Sequence, residues 1–340
     1  MSSRDQFRFR RLDNVGVAAG EDDQTFLANC FIDTGALDTL RDCSDPRRIV
    51  LGRTGSGKTT LLLRLAETTQ NVIQVRPESL ALAYISNSTI LKFLIQLDVN
   101  LDVFFRLLWR HVFTVEIIKA HFHIEDEPSK NRFFEWVKDR FRSSNRRHEQ
   151  ALEYLETWGK SFWEDTDYRI REVTTKLETD VKAAISAKIS PVDMNAESTS
   201  KLSEEQKQEV TSRAQRVVNE VQIRQLSDVI EMLADILDDP KRRYYVTIDR
   251  LDENWIEDKL RYRLIRALIE TSRDFRKVTN AKIIIALRFD LVDRVFRLTR
   301  DAGFQEEKYE TLFLDIIWSR PQLTGILDAR IDYLVTAGCS

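Results

Sequence analysis

Two hydrophobic periods alternate along the chain. "RRIVLG" (47 to 52) is a brief apolar run that stops at glycine and predicts a strand. "KTTLLLRLAETT" (58 to 69) then carries leucines at helical spacing, so strand, loop and helix follow in order. "NVIQVRP" (71 to 77) reads as a second strand closed by Pro77. Residues 79 to 124 are helical in pattern, with Asn87 or Ser88 as cap for "TILKFLIQL" and a long, largely buried helix over "DVFFRLLWRHVFTVEIIKAHF". "HIEDEPSK", with Pro128, is a polar break. Residues 131 to 235 are rich in Arg, Lys, Glu and Gln and predict exposed helices, interrupted by "ISPVDMNAESTSKLS" (189 to 203). They hold no clean heptad, which argues against a long coiled coil. Beyond them come an amphipathic helix over 221 to 239, a strand in "RYYVTID" (243 to 249) and a helix in "IEDKLRYRLIRALIETSRDF". "AKIIIAL" (281 to 287) has the continuous apolar run of a central parallel strand. "ETLFLDIIW" (310 to 318) reads as a further strand, and "PQLTGILDARIDYLV" (321 to 335) as a final helix with Pro321 in its first turn. The opening, residues 1 to 48, is irregular, with a short helix expected in "DDQTFLANCFI".

Strands alternate with helices at both ends of the chain. That order predicts an α/β fold, a parallel sheet with helices on both faces, elaborated by a large helical insertion between its second and third strands. The expected divisions are a first core part (1–125), a charged helical insertion (126–220) and a second core part (221–340).

Composition narrows the class without naming a function. The 340 residues are 42% hydrophobic and 31% charged, which suits a globular chain able to bury a sizeable core. A formal charge of -3 gives no global pull towards nucleic acid or anionic membrane. Cys30, Cys43 and Cys339 fit neither a disulfide framework nor zinc spacing, so a reducing compartment, the cytoplasm, is expected. "MSSRDQFRFRRLD" lacks the apolar core of a signal peptide. The longest apolar stretch is broken by Arg106, Arg110 and His111, so no membrane span is expected.

"LGRTGSGKTT" (51 to 60) changes the picture. Gly52, four residues, then Gly57, Lys58 and Thr59 fit the phosphate-loop pattern in full. The glycines let backbone N–H groups of Gly52, Arg53, Thr54, Gly55, Ser56 and Gly57 turn inward, and the helix that starts near Lys58 adds its positive end. Lys58 has the reach for β and γ phosphates, Thr59 can place a hydroxyl on Mg²⁺, and Thr60 lies beside it. Hydrolysis needs a metal-holding carboxylate and a group that orients water. Asp249 closes an apolar strand and is the candidate metal ligand. Arg250 follows it where many ATPases place a glutamate; Asp252 and Glu253 come next, as water-activating acids or as ordinary loop surface. "IIIALRFD" ends another strand with Arg288 and Asp290, and read from the residues alone Arg288 can pair with Asp290 or Asp249. Arg294, Arg297 and Arg300 follow on a helix, as a trans-acting arginine finger or a solvated face.

Several stretches together resemble a group of bacterial P-loop ATPases related to the signal-transducing (NACHT-like, STAND), KAP-like and origin-recognition AAA+ ATPases. They are "LGRTGSGKTTLLLRL", "LLWRHVF", "YYVTIDRLDENW", "KIIIALRFDLVDRVF" and "FQEEKYETLFLDIIWSRPQLTGILDARI", the last with Trp318, Leu323 and Arg330 as a block. The resemblance implies a P-loop fold and Mg²⁺-dependent ATP binding and hydrolysis used for assembly or conformational switching, as in phage defence or stress response. It also implies ATP rather than GTP, Asp252 or Glu253 polarising water, Arg288 as sensor, and a homo-oligomer or effector partner. Such ATPases carry a helical lid after the core. About ten residues follow Arg330 here, which leaves open an absent lid, the helices of 131 to 235 in its place, or a truncated chain. The alternatives are a nucleotide-gated binding or scaffold protein with little hydrolysis, and a nucleic-acid-associated ATPase. The last rests only on local basic runs such as "RSSNRRH" (142 to 148). His121 and His123, two apart near Glu125 and Glu127, do not share a helix face and suggest no metal site.

Overall fold

The computed structural model describes residues 15–16, 23, 26, 29–77, 88–141, 166–186, 202–253, 258–299 and 306–338. Five strands form one all-parallel sheet: β1 (Ile49–Gly52), β2 (Val72–Val75), β3 (Tyr244–Ile248), β4 (Ala281–Arg288) and β5 (Phe313–Asp315). Their spatial order is β2-β3-β4-β1-β5. The chain is therefore α/β, with helices on both faces of a parallel sheet.

Alternation along each strand decides which face each side chain serves. Ile49 and Leu51 of β1 join one core, with Ile283, Ile285 and Leu287 of β4 and Val246 and Ile248 of β3. Val50, Ile284, Ala286, Tyr245 and Leu314 join the other. That smaller core is closed by α1 (Ala36–Arg41) and α2 (Lys58–Thr68), through Leu37, Leu40, Leu61, Leu62 and Leu65. Each fully buried leucine contributes about 1.5–3 kcal/mol, so three on one stripe of α2 hold it on the sheet. Its N-terminus is thereby fixed at the end of β1. At the far end of the sheet the fully buried Lys282 Nζ donates to the carbonyls of Thr39 and Asp42, tying the end of α1 to β4.

The larger core is covered by α3 (Thr89–Gln96), α4 (Asp102–Phe122), α5 (Glu127–Phe141), α6 (Thr166–Ile185), α7 (Glu204–Ile236), α8 (Asp258–Asp274) and α9 (Phe289–Leu298). Ser88, not Asn87, caps α3 by accepting the Leu91 N–H. The charges that interrupt α4 have a partner inside the fold: Arg106 and Arg110 both pair with Asp274 of α8. Pro128 lies in the first turn of α5 rather than in a break, because its missing N–H costs nothing there. α7 runs unbroken through the 220/221 division drawn from composition. Leu177, Val181, Val210, Ala214 and Leu233 from α6 and α7 enter the same core as the sheet, so these helices share its hydrophobic interior. A short α10 (Glu307–Glu310) precedes β5, and α11 (Arg320–Gly338) follows it. No helix among the described residues is long and apolar enough to cross a membrane. Residues 142–150, Trp255, Arg300, Cys339 and most of the 189–203 interruption lie outside the described residues, as do most of residues 1 to 28.

Candidate functional site

A parallel sheet brings the C-terminal ends of all its strands to one edge, the usual ligand edge of such folds. Here that edge carries Gly52 from β1, Asp249 just after β3, Arg288 from β4 and Trp318 three residues after β5. β4 lies between β1 and β3, and Gly52 is in register with Arg288. The strand bearing Arg288 therefore separates the loop from the strand bearing Asp249.

The loop from Gly52 to Thr59 is built on two left-handed glycines, Gly55 at φ 75° and Gly57 at φ 89°. Side chains other than glycine rarely adopt these angles. Gly52 is required for a different reason. A Cβ there would stand 2.2 Å from Ser56 Oγ, which is buried without a hydrogen-bond partner beneath the loop. Arg53, Thr54 and Gly55 are exposed at the crest. Lys58 Nζ donates to the carbonyls of Gly52 (3.2 Å) and Arg53 (2.9 Å), so the ammonium is folded across the loop it follows. Burial lowers its pKa, and the nearby Asp249 and Asp252 pull against that shift.

Thr59 and Asp249 line one small cavity of about 90 Å³, together with Gln74, Arg76 and Thr247. One Asp249 carboxylate oxygen accepts the Arg250 N–H at 2.8 Å. Arg250 itself sits at φ 60° and turns the chain, with the Glu253 N–H returning to its carbonyl at 3.2 Å. A non-glycine residue held there costs on the order of 1 kcal/mol. The turn carries the two following acids apart. Asp252 meets Arg288 at 3.5 Å, whereas Glu253 faces Arg250 at 3.8 Å. Arg288 also pairs with Asp290 through two bonds of 2.9 and 3.0 Å, which raise its pKa. Lys58, Asp249, Asp252, Arg288 and Asp290 thus form one charged group, and the charges acting most on Lys58 are the other four. Glu253 is not among them. Arg294 and Arg297 stand exposed on α9 and make no ion pair with the loop.

A second, larger cleft of about 520 Å³ opens beside the loop. Its walls are Gly55 to Leu61, the segment around Phe26 to Ala36, and Ile316, Trp318, Leu323, Ile326 and Arg330. None of the inserted helices lines it. Arg330 holds the two chain ends together there, pairing with buried Asp23 at 2.5 Å and donating to the Val15 carbonyl at 2.7 Å. Sequence reasoning did not find the Asp23 partner, nor the bond from Trp318 Nε1 to the Ser56 carbonyl at 2.8 Å. Nor did it find Gln74 and Arg76 beside Thr59. A tryptophan just past a strand at the ligand edge was the one available signal.

Among the described residues no three His, Cys, Asp or Glu side chains gather as a metal cluster. His121 instead meets the Tyr244 hydroxyl through Nδ1 at 3.0 Å, beneath the fold. No protein-family model matches this chain, and neither a curated protein nor a solved structure is significantly similar to it.

Proposed function

We propose that the chain is a P-loop NTPase that binds Mg²⁺·ATP at the Gly52–Thr60 loop and hydrolyses it to drive assembly or a conformational switch. The observation that carries the reading is the shared edge. A glycine-bent loop ending in Lys58 and Thr59 lies one strand from Arg288 and two strands from Asp249, and Thr59 and Asp249 line one cavity.

The donor set fits Mg²⁺, which needs only one or two carboxylates beside phosphate oxygens and water. Thr59 Oγ1 and the Asp249 carboxylate would hold it, and when bound it supplies charge neutralisation along the phosphate chain. Lys58 would exchange its two carbonyl acceptors for phosphate oxygens. Asp252, held by Arg288 on the loop side, is the better placed of the two acids to take a proton from an attacking water; Glu253 is drawn away by Arg250. Arg288 would then transfer from the two aspartates to the developing charge on the γ phosphate. Arg294, exposed on α9, remains available to a neighbouring subunit.

Purified protein releases phosphate from Mg²⁺·ATP, and Lys58→Ala and Asp249→Ala reduce the rate by about a hundredfold or more. Equal release by wild type and both variants would sink the assignment. A second reading, a nucleotide-gated binding module, is favoured by one observation: both candidate acids are already engaged by arginines. It predicts nucleotide-dependent association with turnover no faster than spontaneous hydrolysis.

A further inference from the structure

Trp318 is the feature of this edge that phosphate-loop chemistry does not account for. It lies past β5 at the root of α11, yet its indole Nε1 donates to the Ser56 carbonyl, 262 positions away in the chain. Its ring also comes close to Gly57, where a Cβ would lie 3.9 Å from Cζ2. The peptide bond is planar and trans, so its C=O and N–H point in opposite directions. The Ser56 carbonyl and the Gly57 N–H belong to one such plane. A bond that pulls the carbonyl towards Trp318 turns the Gly57 N–H to the opposite side.

This matters because of what surrounds that plane. Gly55 and Gly57 flank Ser56, both at positive φ. Glycine visits either sign of φ with little preference, so the planes around Ser56 can flip at small cost unless something outside the loop holds them. Lys58 holds the plane after Gly52 and the plane after Arg53 through their carbonyls. Nothing in the loop does the same for the plane after Ser56, whose own hydroxyl is buried without a partner.

We infer that Trp318 is a positioning residue for the phosphate loop. It fixes the Ser56–Gly57 peptide with its N–H turned into the anion nest, and it makes the loop's shape depend on the seating of α11. α11 is in turn gripped by the chain's opening segment through Arg330, through Cys30 Sγ on the Ala329 carbonyl, and through Phe26 against Tyr333. This role rests on the nucleotide reading above and names the residue that pre-forms its site.

The test is Trp318→Phe, which keeps an aromatic ring and removes the N–H together with the rest of the five-membered ring. Titration of Mg²⁺·ATP and of Mg²⁺·pyrophosphate by calorimetry reads the loop with and without a base attached. W318F weakens both ligands by the same factor, roughly 3- to 10-fold for one lost hydrogen bond, in a ligand-free protein that still melts cooperatively. Unchanged affinities overturn the proposal, and so does a loss confined to ATP, which would place the indole on the base or ribose. Wild type that binds neither ligand overturns the nucleotide reading itself. If W318F does not fold, wild type with nitrogen-labelled tryptophan reads the same bond. The Trp318 indole N–H exchanges more slowly once Mg²⁺·pyrophosphate is bound, and an unchanged rate overturns the proposal.

Discussion

At the scale of single residues, neighbouring acids with the same chemistry are separated by their partners. Asp252 and Glu253 are adjacent carboxylic acids, both exposed, yet one points to Arg288 beside the loop and the other to Arg250. The expected outcome is asymmetric. Asp252→Asn lowers kcat for ATP by about 10²- to 10³-fold, while Glu253→Gln stays within roughly threefold, both read by steady-state phosphate release. A larger effect at Glu253 would reverse the assignment. His121 gives a pH prediction of the same kind. Burial first, and then the charge of Arg242, lower its pKa from 6.5 to about 4, so the ring that shares a hydrogen bond with the Tyr244 hydroxyl through Nδ1 is neutral. The unfolded chain takes up this proton near pH 6.5 and the folded chain only near 4. Stability from this group is therefore complete above pH 6.5 and falls as the pH drops towards 4. Urea midpoints measured across that window fall more steeply for wild type than for His121→Gln.

At the scale of elements, joints between elements decide more than the elements themselves. Gly52 ends β1, and the space over its Cα is taken by Ser56 from the far side of the loop. Gly52→Ala forces Ser56 out and weakens Mg²⁺·ATP binding by at least about tenfold, whereas Gly52→Ala with Ser56→Gly recovers part of the loss because the clash is removed. Calorimetric titration of the two variants checks this. Ser88 is a second joint: it caps α3 and also bonds Glu178 of α6. Ser88→Ala costs about 1 kcal/mol at the cap and unfastens an inserted helix from the core. Hydrogen exchange accelerates in α3 and α6 and stays slow in β3 and β4. The helical patterns announced α4 and α8 correctly, because both bury long apolar stripes. They could not announce that Arg106 and Arg110 would be accommodated by Asp274, which lies 168 and 164 positions away.

At the scale of the molecule, the cleft beside the loop is closed by the two ends of the chain. Arg330 supplies the charge that lets Asp23 stay buried. Removing it takes the guanidinium away from a buried carboxylate, so the opening segment loosens from the cleft. Arg330→Ala is expected to speed hydrogen exchange in residues 23 to 32 by about tenfold or more while the sheet keeps its protection. If the nucleotide reading holds, Mg²⁺·ATP is expected to raise the stability of wild type by about 2.7 kcal/mol at a hundred times its Kd and to leave Lys58→Ala unchanged, as read by thermal melts. The inserted helices contribute Leu177, Val210 and Leu233 to the main core, and so act as part of its wall. Composition had marked them as charged and exposed because their outward faces dominate the count.

Local chemistry determined the parts. Apolar runs of strand period, glycines at the positions a phosphate-binding turn requires, and an acid closing "RYYVTID" are properties of neighbours within a few residues, and they were legible directly. The strand order, the meeting of Asp252 with Arg288, the Asp23–Arg330 pair and the bond from Trp318 to Ser56 were decided only in the folded chain. Each joins residues far apart in sequence. Which of them meet depends on how all the helices share two faces of one sheet, and periodicity carries no record of that competition.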